Sequence, residues 1–304
     1  MTNKKLPKTH TEFPKKKMIR LRSLSFHYRD WGGEGQSFIL LHGLASNCRI
    51  WDLIAPILSK DYAVIAIDQR GHGRSDKPDE GYDFKSVGED LAQFIKVMKL
   101  KRPIVVGHSW GGSVAISAAV AHPGIIGGLC LVDGGLIEIS RTPGNTLELA
   151  LQHMAPPVWT GITETSFRQR MKNRDWGERD RTSQAASLSE IVFANLVVSN
   201  DGLVSARLSR ANHLKIVRAF WEHKPSTFFH KVKCPTFLLP ARGKNHDRQR
   251  DKIREEMVRL AQGNIPTCET IWLENSIHDV PLQRPELVAR LIKEQVKKGF
   301  FNSP

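Results

Sequence analysis

The residues around position 109 place a serine at a sharp change from one secondary-structure pattern to another. Residues 103–106 are apolar and rich in β-branched side chains, which is typical of a buried strand. Residues 112–121 are small and apolar, which favours a buried helix. Between them the sequence Gly-His-Ser-Trp-Gly fits Gly-x-Ser-x-Gly and is centred on Ser109. A serine on such a turn stands clear of the sheet with its hydroxyl exposed, so Ser109 is the candidate nucleophile.

The two glycines of this pattern predict a close approach of neighbouring backbone. Gly107 and Gly111 flank the turn, where we expect no room for a Cβ atom. The five-residue pattern alone occurs by chance in many chains. Its position between a strand and a helix favours a nucleophile over a structural turn that carries a serine.

Strand and helix patterns alternate along most of the chain. The predicted strands are residues 25–30, 38–41, 63–67, 103–106, 129–132, 235–239 and 270–273. The predicted helices are residues 51–58, 87–100, 112–121, 248–262 and 285–298. This alternation predicts an α/β fold with a mostly parallel central sheet flanked by helices on both faces.

The alternation is interrupted between residues 137 and 226. This segment is polar, shows helical patterns without strands, and is too long for an ordinary connection. We therefore predict a helical lid or cap at 137–226, inserted into a core made of residues 18–136 and 227–304. Its basic side chains predict a solvated helix face. The alternative is that they favour a substrate with an anionic acyl group. These side chains are Arg168, Arg170, Lys172, Arg174, Arg179 and Arg181.

The chain carries a formal net charge of +14. Residues 1–17 contain six lysines and one glutamate without an apolar pattern, so we expect a disordered basic tail there. Neither a zinc-finger spacing nor an RNP-type aromatic pattern accompanies the charge, so no nucleic-acid partner is expected. No apolar run approaches the roughly 20 residues of a membrane span, and no apolar core follows the N-terminal charges as in a signal peptide.

The four cysteines lie far apart, without a Cys-x-x-Cys spacing. Cys130 and Cys234 lie in or beside apolar runs, which favours buried free thiols. Cys48 and Cys268 complete the set. Free thiols are typical of a reducing compartment, so we expect a cytoplasmic protein.

A serine nucleophile needs a base, and the base needs an orienting acid. His278 is the candidate base because it follows the last predicted strand, at the sheet edge where active sites of parallel sheets collect. Two aspartates could orient it. Asp247 follows the strand 235–239 and is the preferred acid, and Asp133, directly after the strand ending at residue 132, is the alternative.

Two backbone N–H groups are needed to stabilise a developing oxyanion. We expect Trp110, the residue after the nucleophile, to supply one of these N–H groups. The other is expected in the loop after residue 41, where Gly43 lets the backbone approach closely and Leu44 is our choice of donor.

Four ordered motifs now carry a resemblance. His42-Gly43, the segment 68–75 (Asp-Gln-Arg-Gly-His-Gly-Arg-Ser), the segment 107–112 and the late His278 resemble the α/β-hydrolase superfamily over about residues 24–135 and 232–298. The resemblance implies structural roles for His72 and His108. It implies the chain order Ser, Asp, His for a triad. Serine at position 109, where a carboxylate would be needed, argues against the haloalkane dehalogenase and epoxide hydrolase branches.

The function expected from the sequence is a serine hydrolase that cleaves a small carboxylic ester or lactone through an acyl-enzyme. No dinucleotide, Walker or metal-ligand spacing is present, so neither a cofactor nor a metal is expected. The alternatives are a carbon–carbon bond hydrolase, a perhydrolase of the same fold, and a non-catalytic small-molecule receptor with a retained triad. The sequence does not predict an oligomeric state.

Overall fold

The computed structural model describes residues 13–180, 185–244 and 248–302. Its strands are β1 (Lys15–Leu21), β2 (Leu24–Gly32), β3 (Ser37–Leu41), β4 (Ala63–Ile67), β5 (Ile104–His108), β6 (Gly128–Val132), β7 (Leu196–Val198), β8 (Val204–Ala206), β9 (Thr236–Leu239), β10 (Ala241–Arg242), β11 (Cys268–Thr270) and β12 (Leu273–Glu274). Its α-helices are α1 (Ala55–Leu58), α2 (Phe84–Val97), α3 (Trp110–Ala121), α4 (Leu147–His153), α5 (Glu164–Lys172), α6 (Ala185–Phe193), α7 (Arg210–Glu222), α8 (Arg248–Asn264), α9 (Val280–Gln283) and α10 (Pro285–Lys297).

Eight strands form one sheet in the order β1-β2-β4-β3-β5-β6-β9-β11. The six strands from β4 to β11 in this order pair in parallel, whereas β2 is antiparallel to both β1 and β4. The fold class predicted from the sequence is therefore confirmed. The carboxyl ends of β5, β6 and β9 lie side by side at one edge of this sheet, which brings the segments that follow them together.

The central strands are buried on both faces. Ile39 and Leu41 of β3 pack into one hydrophobic cluster with residues of α2 and α3. Phe38 and Leu40, which point to the opposite face, pack into a second cluster with residues of α1 and α10. Strands covered on both faces need continuous apolar runs, which is why these segments show no polar alternation.

The predicted last strand, residues 270–273, corresponds to two separate strands, β11 and β12. β11 pairs with β9 in the large sheet, whereas β12 pairs with β10 in a separate two-stranded parallel sheet. The strands of this small sheet, β10 and β12, follow β9 and β11 of the large sheet along the chain. The small sheet carries the residues that lead to His278.

The inserted segment contains α4 to α7 and also a short antiparallel hairpin, β7 with β8. The expectation that this segment lacks strands is therefore wrong. Phe167, Leu196 and Val204 form a small buried cluster within it. Trp176, Leu188 and Ile191 instead pack into the core cluster that contains Phe38 and Leu40. The cap boundaries at 137 and 226 stay a prediction.

The N-terminal prediction is wrong in part. Residues 15–17 belong to β1, which pairs antiparallel with β2, so they are not part of a tail. An edge strand accommodates these lysines because their side chains reach solvent, and Lys17 also contacts Asp30 at 2.7 Å. The rest of the predicted tail up to residue 12 lies outside the described residues.

The four cysteines are free, and Cys48, Cys130 and Cys234 are buried, as predicted for Cys130 and Cys234. No helix in the described part of the chain is both long and apolar enough to cross a membrane.

The contact between the inserted segment and the core predicts a stability effect. Leu188 is fully buried in the core cluster, so Leu188→Ala leaves a cavity and lowers the free energy of unfolding by about 2–5 kcal/mol. Urea unfolding followed by tryptophan fluorescence measures this loss. Val197→Ala is the matched control, since Val197 is 38% exposed in the same segment and we expect a change below about 1 kcal/mol. Equal effects of the two substitutions would contradict the packing described here.

Candidate active site

The backbone at Ser109 forms a strained turn between β5 and α3. Ser109 has φ 51° and ψ −121°, in the region of positive φ that residues other than glycine rarely adopt. Its N–H donates to the Val132 carbonyl at 3.2 Å, and its carbonyl accepts from the Gly112 N–H at 3.0 Å. These bonds hold the turn in place, with the side chain at the sheet edge.

Gly107 and Gly111 are required by the space around this turn, as the sequence predicts. A Cβ atom at Gly107 would lie 2.6 Å from the Gly111 carbonyl oxygen. A Cβ atom at Gly111 would lie 2.6 Å from the carbonyl oxygens of Leu41 and His42. Only backbone opposes both positions, and it cannot move aside without shifting β3 or the turn itself.

Three side chains form a continuous hydrogen-bonded chain at this edge. His278 Nε2 lies 2.9 Å from Ser109 Oγ, and His278 Nδ1 lies 2.6 Å from Asp133 Oδ2. With Asp133 ionised, His278 Nδ1 carries a proton and donates a hydrogen bond to the carboxylate. Nε2 is then free to accept the Ser109 hydroxyl proton, which is the arrangement of a general base beside a nucleophile.

Asp133 follows β6 directly and is held by more than the histidine. Its Oδ1 accepts the Ala241 N–H at 3.0 Å, and Arg254 Nη2 lies 3.6 Å from the same oxygen. Burial acts to raise the pKa of Asp133, but the hydrogen bond and charge of His278, the charge of Arg254 and the Ala241 N–H outweigh it. The pKa of Asp133 therefore lies below its usual value, and the carboxylate stays ionised.

This geometry concerns the two aspartates considered as the acid. His278 Nδ1–H donates its one hydrogen bond to Asp133, so the structure brings the alternative acid to the candidate base. Asp247 itself lies outside the described residues. The order along the chain remains Ser, Asp, His.

The loop that carries His278 is fixed by two side chains. The pKa of His108 falls to about 4, because of burial first and the charge of His278 second. Neutral His108 therefore donates from Nε2 to the His278 carbonyl oxygen at 2.8 Å. Gln283 Oε1 accepts the Ile277 N–H at 2.8 Å. His108 thus supports the backbone of the candidate base.

The pKa of His278 is raised above its ordinary value. Burial acts to lower this pKa, but the hydrogen bond to Asp133 and the negative charges of Asp133 and Asp279 outweigh burial. The side chain nevertheless keeps 52% of its surface exposed. A substrate or a water molecule can therefore reach the imidazole.

The two candidate oxyanion donors lie beside Ser109. Trp110 is the first residue of α3, where N–H groups have no partner inside the helix. Gly43 approaches Ser109 closely, since a Cβ at Gly43 would lie 3.1 Å from Ser109 Cβ, and Leu44 follows it. Within the described residues neither the Leu44 nor the Trp110 N–H donates to a backbone carbonyl. Both are free to bind an oxygen.

Two buried histidines hold this loop. His42 Nδ1 donates to the Gly43 carbonyl at 2.8 Å, and its Nε2 accepts the Gln69 N–H at 3.0 Å. His72 Nδ1 donates to the Arg70 carbonyl at 2.9 Å, and its Nε2 accepts the Ala45 N–H at 3.2 Å. Burial lowers the pKa of both histidines. Both rings are occupied by backbone, which agrees with the structural role implied for His72.

A cavity of about 320 Å³, here called the inner cavity, lies next to this loop. Ala45, Ser46 and His72 are among its lining residues, whereas Ser109 and His278 are not. Arg174 also lines it, and its Nη2 lies 2.6 Å from Oδ2 of Asp279, the neighbour of His278. The remaining walls come mainly from apolar residues of the inserted segment, among them Pro156, Trp159, Phe167, Val192, Leu196 and Leu208.

One group of possible metal ligands was not visible in the sequence spacing. Ligand atoms of His27, Cys48 and Asp68 lie within 4.8 Å of one another. Asp68 accepts from His27 Nδ1 at 2.7 Å and from the Cys48 N–H at 2.7 Å. Burial and the nearby Asp68 raise the pKa of the Cys48 thiol well above its ordinary value. These contacts make the group a hydrogen-bonded support for the segment 68–75 rather than a ready thiolate site.

The sequence profile of the alpha/beta hydrolase family matches residues 38–291. The chain belongs to this family. Over 101 residues it is 35% identical to the 2-(acetamidomethylene)succinate hydrolase of Mesorhizobium japonicum, covering 33% of this chain and 36% of that protein. It is also 39% identical over 108 residues to the non-heme chloroperoxidase of Streptomyces lividans, covering 34% of this chain and 39% of that protein.

The matched regions span about a third of the length of these curated relatives. A crystal structure of E-2-(acetamidomethylene)succinate hydrolase superposes with a TM-score of 0.74, covering 93% of this chain and 99% of that one. At 21% identity this likeness shows the fold. The relatives are a hydrolase and a peroxidase by name, so they do not decide the reaction of this chain.

Several supporting residues were missed by sequence reasoning. Arg254 and the Ala241 N–H fix Asp133, and Gln283 fixes the histidine loop. The signal for Ala241 was its place at the end of β9, beside the end of β6. Arg254 lies in the interior of α8, and no local pattern distinguishes it from the other charged residues of that helix.

The choice between the two aspartates gives a direct prediction. Asp133→Asn removes the acceptor that orients His278, so the rate at which a fluorophosphonate labels Ser109 should fall by about 10³-fold or more. Asp247→Asn should stay within a few-fold of wild type. Fluorescent labelling over time, with the adduct assigned by peptide mass, measures both rates. A larger loss in Asp247→Asn would return the acid role to Asp247.

The raised pKa of His278 predicts the pH dependence of the same reaction. Only neutral His278 can accept the serine proton, so reactivity is lost as the pH falls through its pKa. The acidic limb should lie above the ordinary histidine pKa of about 6.5. Asp133→Asn removes the charge that raises this pKa, so its remaining reactivity should show a limb at lower pH. A limb in wild type at or below about pH 6.5 would contradict this assignment.

Proposed function

We propose that this chain is a serine hydrolase that cleaves a small carboxylic ester or lactone through an acyl-enzyme. The observation that carries the proposal is the unbroken chain of contacts from Ser109 Oγ through His278 to Asp133. These contacts lie at a strained turn beside two free N–H groups. This set supplies a nucleophile, a base, an orienting acid and an oxyanion site, which together suffice for acyl transfer.

In the first half-reaction, Ser109 Oγ attacks the carbonyl carbon while His278 Nε2 takes the hydroxyl proton. The carbonyl oxygen becomes an oxyanion and accepts hydrogen bonds from the N–H groups of Leu44 and Trp110. Asp133 stabilises the imidazolium that forms. The intermediate then collapses, the C–O bond to the alcohol breaks, and His278 returns its proton to the leaving oxygen.

In the second half-reaction, water attacks the acyl-enzyme. His278 Nε2 takes a proton from the water, and the same N–H groups hold the second oxyanion. Collapse breaks the bond to Ser109 Oγ, which receives the proton from His278, and a carboxylic acid leaves. The exposed half of the His278 side chain gives the water its path.

The size and lining of the inner cavity support a small substrate. Its volume of about 320 Å³ lies at the lower end of the range for small-molecule sites. Its walls are largely apolar, which suits an acyl chain or the ring of a lactone. Because the inserted segment supplies most of these walls, we propose that it acts as the cap that sets specificity.

Perhydrolysis is a second candidate, favoured by the likeness to the Streptomyces lividans chloroperoxidase. It uses the same acyl-enzyme, with hydrogen peroxide in place of water as the attacking group, and yields a peracid. The two activities are separated by measuring peracid and acid formation from p-nitrophenyl acetate with added hydrogen peroxide.

The proposal is tested by p-nitrophenyl acetate and p-nitrophenyl butyrate. Ser109→Ala removes the nucleophile and should lower kcat by several orders of magnitude. Ser113→Ala is the matched control, because Ser113 lies on α3, is fully buried, and its Oγ has no hydrogen-bond partner among the residues that the structure describes. We expect that variant to keep kcat within about twofold. Intact-mass measurement after rapid quenching should show an acetyl group on wild type.

Full activity in Ser109→Ala would overturn the proposal. Labelling of Ser109 by a fluorophosphonate without turnover of any ester or lactone would also overturn it. That second result would favour the non-catalytic receptor with a retained triad.

A further inference from the structure

A second cavity of about 580 Å³, here called the basic cavity, adjoins the inner cavity. Gly73, Leu196 and Arg207 line both cavities, so Arg207 stands where they meet. The basic cavity is lined by an unusual number of cationic side chains, namely Lys16, Arg29, Arg49, Arg74 and Arg207. Neither the triad nor the proposed acyl transfer uses these charges.

Two of these arginines share one carboxylate within the protein. Arg29 Nε lies 3.2 Å from Asp52 Oδ1, and Arg49 Nε lies 3.1 Å from Asp52 Oδ2. One buried carboxylate therefore serves both guanidinium groups. The two guanidinium groups keep one net positive charge between them, and their Nε groups are engaged with Asp52.

Arg74 and Arg207 are different. In the described ranges of the chain, no carboxylate lies within 4 Å of either guanidinium group. Asp68, which also lines the cavity, directs its oxygens to His27 Nδ1 and to the N–H groups of Cys48 and Arg74. Its charge acts to raise the pKa of Arg207, but its three hydrogen bonds go to other groups.

The orientation of Arg207 is set by one bond. Its Nε donates to the Ala194 carbonyl at 3.0 Å, which leaves the two Nη groups to other partners. Burial and the positive charge of Arg74 lower the pKa of Arg207. Arg207 is partly buried and Arg74 is exposed, so an oxyanion that reached both guanidinium groups would relieve the repulsion between them.

We propose that Arg207 and Arg74 form a subsite for an oxyanion group, a carboxylate or a phosphate monoester, carried by the substrate at a distance from the scissile carbonyl. The inference rests on the proposed ester hydrolysis and adds the substrate class. A substrate whose carbonyl lies at Ser109 would extend an apolar chain through the inner cavity. Its anionic end would meet Arg207, where the two cavities join.

The test compares two esters of equal chain length. Mono-p-nitrophenyl adipate and p-nitrophenyl hexanoate differ in the carboxylate at the far end of the acyl chain. Wild type should give a kcat/KM ratio of adipate to hexanoate of about ten or more, as a charge-assisted hydrogen bond would supply. Arg207→Gln should lower that ratio about tenfold, whatever its effect on the hydrolysis of the hexanoate ester, because the ratio isolates the carboxylate. Arg74→Gln should lower the ratio in the same direction.

The matched control is Arg168→Gln. Arg168 lies in the inserted segment, is paired with Glu164 and Glu190, and lines neither cavity, so the ratio should not change. Raising the ionic strength should lower the wild-type ratio, because salt screens the attraction. Inhibition of hexanoate ester hydrolysis by n-hexanoate and by n-hexyl phosphate, with hexan-1-ol as the neutral comparison, shows which oxyanion binds better.

A wild-type ratio of one or less, with p-nitrophenyl hexanoate turned over, would overturn the subsite and leave ester hydrolysis intact. A ratio that Arg207→Gln does not change would overturn it equally. If neither ester is turned over, the proposed function fails, and adipate binding to Ser109→Ala by calorimetry decides the subsite separately. Binding that Arg207→Gln abolishes would support the subsite, and no binding to Ser109→Ala would overturn it.

Discussion

The close approach of backbone around Ser109 is the constraint on which the rest of the site depends. Ser109 keeps a positive φ because β5, α3 and the loop after β3 leave its turn no other path. The strain of such a conformation, of order 1–3 kcal/mol, is offset by the packing of the buried sheet. In return the hydroxyl is held at the sheet edge beside the candidate oxyanion donors, so no rearrangement is needed when charge develops.

The parallel sheet supplies the partners of Ser109 from segments far apart in sequence. β5 and β6 are neighbours, so Ser109 and Asp133 follow adjacent strand ends although 24 positions separate them. The small sheet of β10 and β12 then brings His278 between them. One further hydrogen bond holds each partner of Ser109. The Ala241 N–H holds the carboxylate of Asp133, and His108 holds the backbone carbonyl of His278. The site is thus held by strands and not by its loops alone.

The sequence predicted the sheet, because strand periodicity is a local signal. The glycines around Ser109 are also a local signal, for the turn at which the structure brings Ser109 and His278 together. The sequence favoured Asp247 as the acid, whereas the structure brings the alternative, Asp133, to His278. β6 and β9 are adjacent and parallel, so an aspartate after either strand ends at the same edge. Which one meets His278 depends on loop geometry and on the Ala241 N–H, and neither leaves a local sequence pattern. The hairpin of β7 and β8 was missed for a similar reason, since its three-residue strands are too short to show a period.

Basic residues that are clustered in the sequence are not the same as those that are clustered in the structure. The basic residues of the inserted segment suggested a solvated helix face, and Arg168 agrees, since two glutamates neutralise it. Arg74 and Arg207 come from distant segments and meet at one cavity, where Asp68 is already engaged. An arginine on a charged helix face can therefore be neutralised, whereas two arginines remote in sequence leave a net positive charge beside one aspartate. Such a charge beside an apolar cavity favours a ligand with an apolar chain and an anionic end, because each part of that ligand meets the surface that lowers its free energy.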